Sequence, residues 1–176
     1  MLIFLDTEFT SIDVRNPRLI SLGLIAEDGQ TFYAELSDTW KKHHCSLFVK
    51  RYVLPLLEGG TCRVSAQEAR KRLIDWIEEF TQEVRIVCYA PDYDGKLLMD
   101  FFDIYRPNNL DPSTLCFLPT SFSNNDPSLA AEIALAQEQA LAGLPEHHAL
   151  RDAKQLKATW DVIKKSNHPN FHKLVQ

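Results

Sequence analysis

Phe4-Leu5-Asp6-Thr7-Glu8-Phe9-Thr10 closes an apolar run that begins at Met1. Alternate side chains of a β-strand project from one face, so a strand continued through this run sets Asp6 and Glu8 side by side. Two carboxylates so placed repel each other at the point where a core should begin. A divalent cation between them removes the conflict, because Mg²⁺ and Mn²⁺ favour carboxylate oxygens. The plain alternative is a strand that ends in solvated acids, and the rest of the chain has to choose.

Outward from that run, residues 1–36 read as three strands: Leu2 to Leu5, Leu19 to Ala26 and Thr31 to Leu36, with Asp28-Gly29 as the turn between the last two. Residues 38–57 fit neither a helical nor a strand period cleanly; Trp40 to His44 suggests a helical turn. Ser65 with Glu68 predicts a capping box, followed by Ala69, Leu73, Trp76, Ile77 and Phe80 at helical spacing. Val84 to Tyr89 reads as a buried strand, Asp94 to Tyr105 as a helix, and Thr114 to Leu118 as a strand. Residues 119–128 look like one mobile loop. Asp126-Pro127 predicts a helix start reaching to about Ala142. A last helix carries Ala149, Ala153, Leu156, Trp160 and Ile163 on one face and stops near Asn167. Leading antiparallel strands followed by strand–helix alternation predict a mixed α/β sheet flanked by helices, in a single domain over 1–176.

Composition narrows the setting. The chain is 45% hydrophobic and 24% charged, ordinary values for a globular protein. No apolar stretch approaches the roughly 20 residues needed to span a bilayer. Cys45, Cys62, Cys88 and Cys116 form no CxxC pair, which argues against a zinc site, and Cys88 and Cys116 read as buried thiols. Met1 runs straight into a strand without a basic leader, so a cytoplasmic protein is expected. The net charge of -5 is the wrong sign for coating nucleic acid, although an enzyme holding a few nucleotides needs only local cations.

Two further segments bear on Asp6 and Glu8. In Tyr89-Ala90-Pro91-Asp92-Tyr93-Asp94 a buried strand ends and a helix begins, a place where α/β folds gather reactive groups. Either Asp92 or Asp94 alone would serve as a helix cap. In His147-His148-Ala149-Leu150-Arg151-Asp152-Ala153, His147 and Asp152 lie about 140° apart on an ideal helix. Pro145 puts the helix start nearby, so His147 can sit on the preceding loop and fold back towards Asp152, as a general base beside a metal ligand.

Taken in order, Asp6-x-Glu8, Tyr93-Asp94 and His147-x4-Asp152 resemble the DEDDh group of 3′–5′ exonucleases within the ribonuclease H-like fold, over about residues 2 to 165. Ile20 to Ala26 with the Asp28-Gly29 turn is also similar to that family's second strand. The opening run and the short length most resemble the exoribonuclease AS branch, which favours 3′-adenylated RNA. Where many members carry Asn four residues before the second-motif Asp, this chain has Ala90; Asp94 matches the metal position better than Asp92.

The resemblance implies two Mg²⁺ ions, with Mn²⁺ able to substitute, held by Asp6, Glu8, Asp94 and Asp152. It implies that Asp6 bridges both ions, Glu8 and Asp152 hold the one on the nucleophile side, and Asp94 holds the other. His147 would be the general base, and Phe9 would stack against the terminal base at a single-stranded RNA 3′ end; a core role for Phe9 reads equally well. Lys96, Arg151 and Lys154 are candidates for phosphate contact. A homodimer is expected from the resemblance alone. Two alternatives stay open: single-stranded DNA as the substrate, and a catalytically silent nucleic-acid-binding domain.

Overall fold

The computed structural model describes residues 1–12, 15–123, 126–141, 145–168 and 171. Six strands form one sheet in the order β4-β3-β2-β1-β5-β6. The strands are β1 (Leu2–Phe9), β2 (Leu19–Ala26), β3 (Thr31–Leu36), β4 (Arg63–Val64), β5 (Val84–Cys88) and β6 (Leu110–Cys116). β1, β2 and β3 pair antiparallel, whereas β5 joins β1, β6 joins β5, and β4 joins β3 in parallel. The mixed α/β sheet expected from sequence is the sheet observed.

Helices cover both faces. α1 (Ala66–Glu78) and α2 (Lys96–Phe102) close a core around Ile3, Leu5, Leu22, Leu24, Leu73 and Ile86. α4 (Pro127–Ala140) and α5 (Ala149–Lys165) close the other, around Phe4, Ile25, Val87, Phe117 and Trp160. The short α3 (Thr120–Ser123) precedes α4. Burial from both sides explains why β2 reads as an apolar run interrupted only by Ser21 and Gly23, LISLGLIA, despite its antiparallel pairing.

Several boundaries differ from the sequence reading, each for a local reason. β1 does not stop at Leu5: β2 pairs with it as far as Phe9, matching Asp6 to Gly23 and Glu8 to Ser21. The two acids therefore lie inside the sheet. α2 is shorter than expected, because Pro91–Gly95 forms a wide π-type turn and the α-helix begins only at Lys96. β6 starts earlier, at Leu110, and contains Pro112; as an edge strand whose register shifts against β5 there, it tolerates the missing donor. The segment 119–128 carries α3 and the Asp126 cap of α4, whose side chain accepts from Leu129 N at 3.0 Å. Ala142, the expected end of that helix, lies outside the described residues.

The Ser65 half of the capping box is made, its hydroxyl accepting from Glu68 N at 3.2 Å, while the Glu68 carboxylate pairs with Arg72 at 2.7 Å. Cys88 is buried, as expected, but Cys116 is only partly so. β4, two residues long, carried no sequence signal of its own.

One glycine sets where α5 begins. A Cβ on Gly23 would lie 2.2 Å from Leu150 N and 2.4 Å from Ala149 C, both backbone atoms. The first turn of α5 thus rests directly on β2, beside the residue paired with Asp6. Gly23→Ala is expected to lose about 3 kcal/mol or more, since helix and strand have to separate. Thermal melting reads this out; an unchanged midpoint would show that the helix start is free to move.

Candidate metal centre and active site

The acids of β1 face the start of α5 across the Gly23 contact. Glu8 sits near the end of the strand, where the β1–β2 register shifts between Glu8 and Phe9. α5 begins at Ala149, so His147 lies on the loop before it, with φ 65° in the left-handed region, and Asp152 lies in the first turn. Ligand atoms of Glu8, His147 and Asp152 all fall within 4.8 Å of one another. The turn before the helix folds His147 back over Asp152, which a continuous helix could not do.

Asp94 joins these acids from the turn before α2. Asp6, Asp94 and Asp152 line one cavity of about 380 Å³, together with Leu5, Tyr89, Pro119 and residues of α4 and α5. Asp94 reaches it because β5 ends early. The ladder between β1 and β5 stops at Leu5 and Cys88, and beyond it the Asp94 carboxylate supplies the acceptor that β5 no longer offers. Its Oδ1 accepts from Thr7 N at 3.2 Å and from the Thr7 hydroxyl at 2.6 Å. Thr7, between the two acids of β1, thus orients the third, a role the sequence reading missed. Asp92 lies elsewhere, on a neighbouring groove with Tyr93 and Lys96.

The electrostatics of this cluster are those of a cage for cations. Burial, then the charges of Asp94, Glu8 and Asp152, push the Asp6 carboxyl well above its ordinary range. Glu8 is pushed up to about 8, first by burial and then by Asp152 and Asp94. Asp94 is raised by burial, against the lowering effect of its Thr7 hydrogen bonds. Buried carboxylates that resist ionisation, Asp6 and Glu8 partly because of their acidic neighbours, are in want of positive charge. Oxygen donors from four acids with one imidazole suit Mg²⁺ or Mn²⁺, so the residues fit the ions that the resemblance implies.

Of the expected phosphate contacts, Arg151 is engaged: its Nη1 donates to Asp152 at 2.7 Å and to Gln155 at 3.0 Å. Lys96 pairs with Asp100 one turn on, and Lys154 is half-buried on α5. Phe9 is half-buried, its ring parallel to that of Tyr93 within 2° at 5.7 Å. Two further aromatics, absent from the sequence reading, flank His147. Phe48 meets its ring edge-on at 5.0 Å, and Tyr52 lies 6.3 Å away. Both are substantially exposed, as is Leu47 at 84%.

No protein-family model matches the chain, and no curated protein matches it. Solved structures do. The chain is similar to Pop2p of S. pombe in its Mg²⁺- and Mn²⁺-bound form, with 17% identity and a TM-score of 0.58 over 93% of this chain and 82% of that one. It is similar to the nuclease domain of 3′hExo, a DEDDh family member bound to rAMP, at 14% identity and TM-score 0.58, covering 95% of this chain and 92% of that one. It is also similar to E. coli ExoI in a complex with single-stranded DNA, at 14% identity and TM-score 0.60, covering 98% of this chain but 42% of that one. At such identities the likeness establishes the fold alone: the mixed sheet flanked by helices is shared with these structures.

Proposed function

We propose that the protein is a metal-dependent 3′–5′ exonuclease that takes single-stranded RNA from its 3′ end and releases nucleoside 5′-monophosphates. The observation that carries this reading is the convergence of Asp6, Glu8, Asp94, Asp152 and His147 from β1, the turn before α2 and the start of α5. Its support from fold is the likeness to 3′hExo bound to rAMP and to Pop2p with Mg²⁺ and Mn²⁺.

Asp6, Glu8, Asp94 and Asp152 would hold two divalent ions, which would supply an activated water and stabilise the departing 3′-oxygen. The chain's own part is positioning and proton handling. His147 stands within reach of Glu8 and Asp152, where its imidazole can accept the proton of the attacking water. Phe9 with Tyr93, and Phe48 with Tyr52, offer ring faces and edges on which bases of any identity can stack. The finer reading, an exoribonuclease AS-like preference for 3′-adenylated RNA in a cytoplasmic homodimer, rests on the resemblance of the Phe4–Phe9 run.

His147→Ala is expected to lower turnover by on the order of 10²-fold or more, with Mn²⁺ still raising the melting temperature through the four carboxylates. Undiminished hydrolysis would remove His147 from the proton-accepting role. The substrate is tested with matched RNA and DNA oligonucleotides and Mg²⁺ or Mn²⁺, reading the mononucleotides released. Faster release from RNA is expected. Release from DNA alone would move the protein to the proofreading type, and release from neither would overturn the nuclease reading.

A further inference from the structure

The residue beside His147 is built into a closed network that the hydrolytic reading does not use. His148 is the N-cap of α5 and only 3% exposed. Its Nε2 lies 3.0 Å from Glu58 Oε1, and its ring stacks on Tyr33 with centroids 4.4 Å apart. The carboxylate partner assigns the ring proton to Nε2. Tyr33 donates its hydroxyl to Glu35 at 3.0 Å. Glu35, 1% exposed, in turn accepts the backbone N–H of Glu58 and, at 3.0 Å, that of Gly59. The ring His148–Glu58–Glu35–Tyr33 thus ties the start of α5 to β3 through the loop at 58–59.

The chain between residues 46 and 59 grips both histidines. Its far end holds His148 through Glu58, while Phe48 and Tyr52 lie against His147. His147 has φ 65°. A non-glycine residue held there carries on the order of 1–3 kcal/mol of strain and persists only where its surroundings over-determine it. Adjacent side chains supply that constraint from opposite sides: one is locked inward, and the other is turned towards Glu8 and Asp152.

We propose that His148 is a positioning residue for the reaction: Glu58, Tyr33 and Glu35 clamp it, and the clamp sets the left-handed turn that aims His147 at Glu8 and Asp152. A buried histidine that merely stabilises a helix start would support the whole fold alike. A positioning residue acts through His147 and through nothing else. This inference rests on the nucleolytic reading of His147.

The test is a mutant cycle under single-turnover conditions with Mn²⁺ and excess enzyme, each variant checked by thermal melting. His148→Ala and Glu58→Ala are expected to lower the rate about 10- to 100-fold, with the half-saturating concentration little changed. Glu58→Gln keeps an oxygen for His148 Nε2–H and is expected to stay within about threefold of wild type. Tyr33→Phe, which keeps the stack and removes one hydroxyl, serves if an alanine variant does not fold; about a threefold to tenfold loss is expected. In the His147→Ala background none of these changes is expected to lower the residual rate by more than about twofold, because the effect is routed through a side chain already removed. Equal losses with and without His147, or an unchanged rate in its presence, overturn the clamp. A wild-type protein that hydrolyses no nucleic acid overturns the nucleolytic reading, and the clamp with it.

Discussion

Asp6→Asn is expected to abolish turnover, by on the order of 10³-fold or more, and to raise the melting temperature of the metal-free protein at pH 8. The two effects have one cause. Burial and then Asp94, Glu8 and Asp152 hold the Asp6 carboxyl well above its ordinary range. A carboxyl raised in the folded state keeps a proton there that the unfolded chain has given up. Its contribution is therefore greatest at low pH, begins to fall as pH passes the unfolded value near 4, and is lost above the folded value. Asparagine cannot ionise and escapes that loss. The gain is read as a rise in melting temperature over wild type. Melts of both proteins in a chelator at pH 5 and pH 8 read the effect, with the difference growing towards pH 8. A variant less stable than wild type at pH 8 would show that Asp6 is held by contacts other than repulsion.

Divalent-ion affinity is expected to rise steeply with pH. Glu8 is raised to about 8, so at pH 6 the ion-free protein holds a proton on it that a bound ion must displace. Each displaced proton weakens binding about tenfold per unit below that value. Mn²⁺ should thus bind on the order of tenfold tighter at pH 7.5 than at pH 6.5, and tighter still relative to pH 6. Calorimetry in two buffers of different ionisation enthalpy counts the protons released. A pH-independent affinity with no proton release would mean that the ion sits elsewhere.

What the sequence disclosed of this centre followed from local geometry. Asp6 and Glu8 were legible as a same-face pair because strand periodicity is two, and His147 with Asp152 because Pro145 marks the helix start. The end of β1 was misjudged because acids at a strand end read as its boundary, while the partner that carries the strand on to Phe9 is β2. Thr7 was invisible as a support for Asp94, since the bond spans 87 positions and arises where β5 stops.

Residues 46–59 were the least legible. Val49–Val53 forms a π-type turn and Leu54–Leu56 a 3₁₀ turn, so Leu47, Phe48, Tyr52 and Val53 fit neither the helical nor the strand period. That stretch nonetheless supplies the aromatics beside His147 and the carboxylate on His148.

The central claim is metal-dependent removal of nucleotides from a 3′ end. It is tested most directly by digesting 5′-labelled RNA homopolymers, with a free or a blocked 3′ end, in the presence and absence of Mg²⁺ or Mn²⁺. The label is expected to stay on fragments that shorten stepwise, only with metal and only when the 3′ end is free. Immediate release of labelled mononucleotide, internal cleavage of blocked strands, or digestion in the presence of a chelator would contradict it.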